Sequence, residues 1–324
     1  MDRHVERCAV EIDRGRFDVV LACSLNPHGA TAIGRCTRTP AALYIGEPYR
    51  RLYEAQPRLH WANPPVRQPH EGALRYGRRV AAEALKVHER GIQAREERDN
   101  AAAFDRILVN SHFSREAVLR TYGLDATVCY LGVDTERFVP RPGFKRDVVL
   151  GVGAIIPEKN VELIIRALAL IPARPPLVWL ANIAKPSYLT KMQALAASAR
   201  VRFVPRIGVA ENEALELIQS ARALVYAPNL EPFGLAVLEA SACATPVVAV
   251  AEAGVRETVI HGVNGLLAEH DAEALACALS RVLDDDALAC GLGAGGRRLV
   301  EERWTLAHAA DRIERQLRLV ARHT

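Results

Sequence analysis

The sequence is poor in the residues that cross-link small secreted folds. Only seven of its 324 residues are cysteines, at 8, 23, 36, 129, 243, 277 and 290. The number is odd and no two cysteines form a Cys-x-x-Cys pair, so neither a disulfide framework nor a zinc site is expected. Met1–Arg7 also lacks the apolar core of a signal peptide. These absences together predict a reducing, cytoplasmic environment.

Long apolar runs and one-sided charge are absent as well. No uncharged stretch reaches the ~18 residues of a membrane span, since the longest candidate, 163–180, contains two arginines and three prolines. The formal charge of +4, from 42 basic and 38 acidic side chains, is too mild to indicate nucleic-acid binding. Half of the residues are hydrophobic, which is enough to form substantial cores. The length of the chain predicts two domains.

Positive charge is concentrated between Arg50 and Arg79. Seven arginines and only two acids, Glu54 and Glu71, give this stretch a local charge of +5. One interpretation is a solvated surface. The other is a site for an anionic partner, either a phosphate, a lipid diphosphate or a membrane face, with peripheral contact at the inner side of the membrane. The sequence leaves both interpretations open.

Short apolar runs alternate with helical patterns along the whole chain. The runs lack polar alternation, which is typical of strands buried on both faces of a parallel sheet, so we predict a doubly wound α/β fold. The predicted strands are 17–23, 41–45, 106–110, 127–131, 148–152, 177–181, 201–204, 223–227, 246–250 and 265–268. The predicted helices are 114–122, 161–170, 187–199, 212–220, 234–243, 272–283 and 306–322, with a charged helical stretch over 66–102.

A segment rich in proline and glycine, 137–143, is the predicted linker. It separates an N-terminal domain, 1–140, with four predicted strands from a C-terminal domain, 141–305, with six. We expect the last helix, 306–324, to pack back on the N-terminal domain.

The segment 228–240 carries the strongest chemical signal. Pro232 suits a first helical turn, where the backbone N–H groups of Phe233, Gly234 and Leu235 would form an anion site. Glu231 and Glu239 lie eight positions apart, or roughly 10 Å along a helix. A retaining glycosidase needs its carboxylates ~5 Å apart. The spacing suits a ligand with a diphosphate between two hydroxyl-bearing ends, although an N-capping glutamate followed by a surface glutamate would give the same pattern.

The spacing Glu231-x7-Glu239, followed by Thr245–Ala249, resembles retaining glycosyltransferase family 4, which has the GT-B fold of two Rossmann-like doubly wound parallel-sheet domains facing a cleft. The similarity extends over about residues 17–315. Further segments match the family in the same order along the chain: 109–116, 130–138, 151–160, Gly254-x-x-Glu257, Gly262-x-x-Gly265 and Trp304.

The resemblance implies a role for each matching residue. Glu239 is expected to bind the ribose of a nucleotide sugar, and the catalytic pair would be Glu231, on the sugar hydroxyls, and Lys159, on the diphosphate. Gly153 belongs to the same donor loop. A solvated loop lysine is the alternative for Lys159. A nicotinamide cofactor is not expected, because Ile156 occupies the third glycine position of a dinucleotide fingerprint.

The chain departs from the family at two loops. Ala154 stands where the family usually has a phosphate-binding arginine, so Arg206 or Arg256 becomes the candidate for that charge. Gly46 stands where an acceptor-side histidine is common, and His28 is the nearest alternative. The remaining acceptor-side candidates, Glu47 and Arg50, lie in a segment, 44–54, that would also be compatible with a surface helix begun by a proline.

The N-terminal domain is expected to be shortened, because the family's opening strand, glycine turn and helix have no match. We therefore expect an exposed apolar edge at 17–23 or 41–45. The segment 5–12 could cover it, but Glu6, Arg7 and Glu11 would make it a poor inner strand.

The resulting hypothesis is an enzyme that moves a sugar from a nucleotide-diphosphate sugar to a glycan or lipid-linked acceptor, with retention of the anomeric configuration. We expect no cofactor and no required metal. The alternative is a catalytically impaired nucleotide-sugar-binding protein of the same fold.

Overall fold

The computed structural model describes residues 2–24, 29–48, 66–141, 143 and 148–321. The chain divides into two compact units. Unit 1 contains Met1–Asn110, Ser114–Cys129 and Glu314–Thr324, and unit 2 contains Ser111–Phe113 and Tyr130–Ile313. Each unit is built around its own parallel sheet, as the alternation of apolar runs and helical patterns predicts.

Unit 1 contains a four-stranded parallel sheet in the order β1-β2-β3-β4. The middle strands are almost entirely buried, which explains their continuous apolar sequences. The strands are β1 (Val20–Cys23), β2 (Ala41–Ile45), β3 (Arg106–Val109) and β4 (Thr127–Val128). The helices are α1 (Asp2–Gly15), α2 (Ile33–Cys36), α3 (Ala73–Ala102) and α4 (His112–Tyr122), whose first two residues belong to unit 2.

Strand β1 lies at the end of the sheet among the described residues, and its side chains Leu21 and Cys23 are exposed. The segment 5–12 is part of helix α1 and not an inner strand of the sheet. Val5, Ala9 and Ile12 recur at i, i+4 and i+7 and pack on the unit 1 core, while the charged residues between them face solvent.

Helix α3 is one continuous element of 30 residues, and the glycines at 77 and 91 do not interrupt it. Its buried residues, Glu97, Asn100 and Ala101, lie near its C-terminal end. Ahead of the helix, the carboxylate of Glu71 accepts from Arg79 at 2.7 Å, and the backbone oxygen of Glu71 accepts from Arg67 at 2.9 Å. Two arginines of the predicted basic stretch, Arg67 and Arg79, therefore bond to Glu71 of the same stretch. Residues 50–65 of that stretch lie outside the described residues.

Unit 2 contains a six-stranded parallel sheet in the order β10-β9-β8-β5-β6-β7. The chain winds to one side through β6 and β7 and to the other through β8 to β10, so the order reverses between β5 and β8. In open α/β sheets, ligands bind outside the carboxyl ends of the strands at such a reversal. The strands are β5 (Val149–Val152), β6 (Leu177–Ala181), β7 (Phe203–Ile207), β8 (Ala223–Tyr226), β9 (Val247–Val250) and β10 (Gly265–Ala268).

Helices cover both faces of this sheet and enclose two separate apolar clusters. The helices are α5 (Val161–Leu170), α6 (Pro186–Ser198), α7 (Glu211–Ser220), α8 (Leu235–Ala242), α9 (Val255–Thr258), α10 (Ala272–Asp284), α11 (Asp286–Arg303) and α12 (Leu306–Ala321), which continues into unit 1.

Helix α11 and strand β7 also differ from the expectations. Helix α11 was not predicted, because glycines interrupt its helical pattern; a Cβ on Gly295 would lie 2.1 Å from the backbone oxygen of Val263, so the glycine permits close packing. Strand β7 begins later than predicted, at Phe203. No described helix is both long and apolar enough to cross a membrane.

The predicted linker is held inside unit 2 over its first residues. Arg297 donates to the backbone oxygens of Thr135 and Phe138, and Gln219 donates to that of Val139 at 2.9 Å. These bonds hold the start of the linker to unit 2, whose main segment begins at Tyr130, ahead of the predicted boundary at residue 140. At the other end of the chain, Gln316 accepts a hydrogen bond from Arg106 of β3 at 2.9 Å.

Asp13 should stabilise unit 1 in a pH-dependent manner. Its carboxylate accepts from the hydroxyl of Thr37 at 2.6 Å and from the backbone N–H of Arg38 at 3.0 Å. These hydrogen bonds hold the pKa of Asp13 below its ordinary value of 3.8, and the bond from Thr37 has the largest effect. A carboxyl group whose pKa is lowered by folding contributes stability above the unfolded-state pKa and loses it as pH falls through the folded-state pKa.

We expect Asp13→Asn to lower Tm at pH 7, with a difference from wild type that narrows as pH falls below 4. Thermal unfolding followed by circular dichroism from pH 3 to pH 7 measures this. Asp18→Asn, at an exposed position of the same unit, is the control. Equal Tm values for Asp13→Asn and wild type at pH 7 would contradict the role of Asp13.

Candidate active site

The carboxyl ends of β5 and β8, on either side of the reversal in strand order, bring together two of the predicted residues. β5 leads to a short 3₁₀ helix, Pro157–Lys159, and β8 leads to the loop that contains Glu231. The Nζ atom of Lys159 lies 2.6 Å from Oε2 of Glu231. The two side chains are 25% and 16% exposed, so the ion pair is largely shielded yet open to a ligand.

The path of the lysine side chain depends on Gly153. This residue has φ of +136°, and a Cβ placed on it would lie 3.2 Å from Cδ of Lys159. The missing side chain therefore lets the aliphatic part of Lys159 lie across the turn. Trp179 of β6 fixes the same turn, because its Nε1 donates to the backbone oxygen of Gly153 at 2.8 Å.

The Glu231 loop is held from two sides. The backbone N–H of Gly254, after β9, donates to the backbone oxygen of Glu231 at 2.9 Å. A Cβ on Gly254 would lie 1.9 Å from the backbone oxygen of Pro232, so only glycine fits this contact. On the other side, the N–H of Asn229 donates to the backbone oxygen of Glu158 at 2.9 Å, which ties the glutamate loop to the lysine loop.

A third side chain, Tyr226, packs beneath the start of α8. Tyr226 is the last residue of β8 and is buried, and a Cβ on Gly234 would lie 3.3 Å from its Cε1 atom. Burial raises the pKa of Tyr226 well above its ordinary value, and the charges of Glu231 and Glu239 raise it further. The phenol therefore stays protonated.

The predicted anion site lies at the start of α8, although the helix begins later than expected. Gly234 is the N-cap residue, with φ of +87°, and the first helical residue is Leu235. Pro232 therefore precedes the helix, and the expectation that it occupies the first turn was wrong. The first N–H groups of an α-helix have no acceptor within the helix. Phe233 is buried and stacks on Tyr130, with ring centroids 6.0 Å apart.

Glu239 lies within α8 and is partly buried. Burial raises its pKa above the ordinary value of 4.5, and the positive charge of Arg137 opposes this shift in part. Arg137 itself forms an ion pair with Glu211 at 2.8 Å. Glu239 is thus a carboxylate whose ionisation the fold makes costly, which is a recurrent property of binding and catalytic positions.

The two arginine candidates for the donor phosphates, Arg206 and Arg256, have other partners. Arg206, at the end of β7, pairs with Glu213, and Arg256 is exposed on α9. Within the described residues, neither has a hydrogen bond or ion pair with Lys159 or Glu231. Glu47 follows β2 in unit 1 and is partly buried. The remaining acceptor-side candidates, His28 and Arg50, lie outside the described residues.

Three contributors to the site were not among the predicted residues. Tyr226 and Trp179 lie in apolar strand runs, so their polar atoms were taken as part of the core. The sequence signal that could have identified Tyr226 is its position at the end of a strand, immediately before the glutamate loop. Gly254 was noted only as part of a matching segment, and its close approach to Pro232 depends on distant packing.

An acidic run, Asp284–Asp286, lies at the junction of α10 and α11. Asp285 caps α11 by accepting from the N–H of Leu288 at 2.9 Å, and Asp286 pairs with Arg222. These carboxylates therefore have structural partners. Over the part of the chain that the structure describes, no group of three or more His, Cys, Asp or Glu side chains could hold a metal ion.

Comparison with known proteins gives matches in sequence. The sequence model of the family described as "Glycosyl transferases group 1" matches residues 133–298. A D-inositol 3-phosphate glycosyltransferase of Mycolicibacterium smegmatis is 30% identical over 277 residues, covering 79% of this chain and 62% of that protein. A GDP-mannose-dependent alpha-(1-6)-phosphatidylinositol monomannoside mannosyltransferase of the same organism is 29% identical over 217 residues, covering 60% and 57%.

Comparison of structures gives the same fold. A glycosyltransferase from Rickettsia africae superposes with a TM-score of 0.73 at 15% identity, covering 99% of this chain and 82% of that one. The predicted family resemblance and the GT-B class with two Rossmann-like parallel-sheet domains are confirmed. The chain spans about 57–62% of the length of the two curated relatives.

The raised pKa of Glu239 predicts that this residue destabilises the ligand-free protein. When folding raises a carboxyl pKa, ionisation disfavours the folded state as pH rises above the unfolded-state value, here 4.5. Glu239→Gln removes the ionisation. We therefore expect the variant to exceed wild type in free energy of unfolding at pH 8, with the difference shrinking towards pH 4, where the wild-type carboxyl is protonated.

Urea unfolding at pH values between 4 and 8 measures this difference. Glu216→Gln, on α7 with a side chain 60% exposed, is the matched control and should show a much smaller pH-dependent gain. A Glu239→Gln variant that is less stable than wild type at pH 8 would contradict the account of Glu239.

Proposed function

Because the chain belongs to the glycosyl transferases group 1 family, we propose that it moves a sugar from a nucleotide-diphosphate sugar to an acceptor. The observation that carries the proposal is the Lys159–Glu231 pair, which spans the carboxyl ends of β5 and β8 at 2.6 Å. The pair places one positive and one negative side chain at the strand-order reversal, and Glu239 lies on the adjoining helix. This arrangement suits a ligand that has a diphosphate between a sugar and a ribose.

Each residue has a distinct task in this proposal. The ammonium group of Lys159 and the first N–H groups of α8 would stabilise the charge that develops on the departing diphosphate. An ammonium group has three donors, so Lys159 can bind a phosphate oxygen while it keeps its contact with Glu231. Glu231 would accept from hydroxyls of the transferred sugar, and Glu239 from the ribose.

The finer points of the proposal come from the resemblance and the relatives. Retention of the anomeric configuration rests on the resemblance of Glu231-x7-Glu239 to family 4. A glycan or lipid-linked acceptor is suggested by the names of the relatives, which include an inositol phosphate and a phosphatidylinositol mannoside. We propose no required metal ion, since Lys159 and the start of α8 already provide positive potential at the diphosphate position.

Glu239→Ala should weaken binding of a nucleoside diphosphate. A hydrogen bond to a charged group contributes ~1.5–3 kcal/mol, which corresponds to roughly a 10- to 100-fold increase in Kd. Isothermal titration calorimetry with UDP and GDP measures the change. Glu216→Ala is the control and should bind like wild type. Unchanged affinity in Glu239→Ala would remove Glu239 from the donor site.

Lys159→Ala and Glu231→Ala should separate binding from transfer. We expect Lys159→Ala to lower kcat by at least roughly 100-fold through lost stabilisation of the leaving group. Glu231→Ala should lower transfer more than it weakens binding of the bare nucleoside diphosphate, because its partner is the sugar. Lys191→Ala, a mostly exposed lysine on α6, is the control.

Radiolabelled sugar transfer from a panel of nucleotide sugars measures these effects. Wild-type protein that binds a nucleotide sugar but neither transfers nor hydrolyses it would support the impaired binding protein, the alternative that the sequence left open. Wild-type levels of transfer in both alanine variants would contradict the site.

We also propose that the described part of the basic stretch attracts an anionic acceptor or lipid surface. Arg75 and Arg78 are exposed on the first turns of α3. Arg79 differs from these two arginines because it forms two hydrogen bonds to the carboxylate of Glu71. Charge reversal at Arg79 would disturb this local structure, so Arg75 and Arg78 are the positions to test.

We expect the double variant Arg75→Glu/Arg78→Glu to lose flotation with vesicles that contain anionic phosphatidylglycerol. Wild type should float with these vesicles and remain behind with purely zwitterionic ones, in a salt-dependent manner. Arg281→Glu/Arg298→Glu, at two exposed helical positions of unit 2, is the matched control. Lipid-independent behaviour of wild type and both variants would favour the solvated-surface interpretation.

A further inference from the structure

We propose that Tyr130 is a positioning residue that holds the ring of Phe233 and, through it, the start of α8 in the conformation that binds the donor diphosphate. Tyr130 acts on the ligand only through Phe233. The consequence for binding rests on the proposed function. The contacts that carry the inference join Tyr130 to Phe233, Glu257 and Arg312, and all of these residues belong to unit 2.

The start of α8 depends on its neighbours for a fixed direction. Its N-cap residue, Gly234, has φ of +87° and no side chain that could hold the turn. Glycine adopts many backbone conformations at little steric cost. The N–H of Val237 donates to the backbone oxygen of Gly234 at 2.9 Å, so the helix begins with a bond to this glycine. The support of the preceding residue, Phe233, therefore determines where the first N–H groups of the helix point.

Phe233 is held at its backbone and at its ring. Its backbone oxygen accepts from the hydroxyl of Thr258 at 3.2 Å. Its ring is only 2% exposed and belongs to an apolar cluster with Leu238 of α8 and Trp304. Tyr130 packs against the same cluster and stacks on Phe233, with ring planes 29° apart. Stacked aromatic pairs contribute more than the burial of their area alone, so this contact fixes the Phe233 ring.

The ring of Tyr130 is itself held by charged side chains. Its hydroxyl donates to Oε2 of Glu257 at 3.0 Å, and the guanidinium carbon of Arg312 lies over the ring, 5.9 Å from its centroid. Burial first, and then the charge of Glu257, raises the pKa of Tyr130 to about 12, so the hydroxyl remains a donor at neutral pH. Glu257 is fixed in turn by the backbone N–H groups of His112 and Phe113, at 2.9 and 3.0 Å.

The supports of the glutamate loop and of the helix start come from one short segment, 254–258. Gly254 binds the backbone of Glu231, Thr258 binds the backbone of Phe233, and Glu257 binds Tyr130. The first two contacts hold the backbone directly. The third acts on a side chain, the ring of Phe233, and it does so only through Tyr130. Position 130 is therefore where this support can be removed while the backbone contacts remain.

We expect Tyr130→Leu to raise the Kd for UDP or GDP about 3- to 10-fold, the order expected for loss of an aromatic pair, and to leave the Kd for uridine or guanosine within about twofold of wild type. Isothermal titration calorimetry, by competition for the weaker nucleosides, measures both constants. Tyr130→Phe keeps the stacked ring and should restore the diphosphate affinity to within about twofold of wild type. Equal changes for nucleoside and nucleoside diphosphate, or no change in either, would overturn the proposal.

Two further variants make the split between nucleoside and diphosphate interpretable. Glu239→Ala removes the proposed partner of the ribose and should weaken both ligands. Tyr188→Leu removes a ring of the same size from α6, where it packs in the other apolar cluster. We expect this variant to lower Tm without changing either Kd. A tyrosine at 130 with a merely structural role would behave like Tyr188.

Hydrogen–deuterium exchange of the ligand-free protein follows the start of α8 without a ligand or an activity. In Tyr130→Leu, a peptide covering 234–242 should exchange faster than in wild type, since local opening of the first turn exposes its amides. A peptide within α10, whose buried side chains pack in the other cluster, should exchange as in wild type. Tyr130→Phe should resemble wild type in both peptides.

The exchange measurement separates this inference from the proposed function. Unchanged exchange over 234–242 in Tyr130→Leu would overturn the role of Tyr130 whether or not the protein binds nucleotides. Faster exchange there, together with a wild-type protein that binds neither UDP nor GDP and transfers no sugar, would contradict the proposed function and leave the support of the α8 start by Tyr130 standing.

Discussion

The parallel pairing of β5 with β8 is the constraint on which the candidate site depends. Hydrogen bonds in register, Val149 with Ala223 and Leu150 with Leu224, join two strands that are far apart in the sequence. Each strand ends at the same edge of the sheet and leads into a short loop. The lysine of one loop and the glutamate of the other meet only because this register aligns the two ends. Trp179 and Gly254 then refine a geometry that the sheet has already determined.

Two carboxylates of one sequence motif have opposite electrostatic environments. Glu231 receives the ammonium group of Lys159, so its negative charge is compensated within the fold. Glu239, eight positions later, is partly buried, and its charge is only partly offset by Arg137. The first carboxylate is thus ion-paired within the fold, whereas among the described residues the second has only the partial compensation by Arg137. This asymmetry suits a site in which one glutamate is ion-paired within the fold and the other accepts from the ligand.

Apolar runs predicted the strands well, because strands buried on both faces leave a continuous signal. The bounds of β2, β6 and β10 match the predicted ones. Helix α1 was missed because charged residues alternate with its apolar stripe, and α11 was missed because glycines serve packing there. Glu231, Glu239 and Lys159 were identified from motif spacing. The contact between Lys159 and Glu231 and the support of their loops by Trp179 and Gly254 were not, since they depend on the register of strands and on how loops pack.

The contact between Gly254 and the glutamate loop has a consequence for protein engineering. The backbone oxygen of Glu231 is bound by the N–H of Gly254, and the oxygen of Pro232 occupies the space where any side chain at 254 would lie. The two loops are therefore a single structural module although 23 positions separate them in the sequence. A chimera that imports only the glutamate loop from a relative would place it against a foreign support. Recombination at this site should exchange both segments together, with the glycine retained.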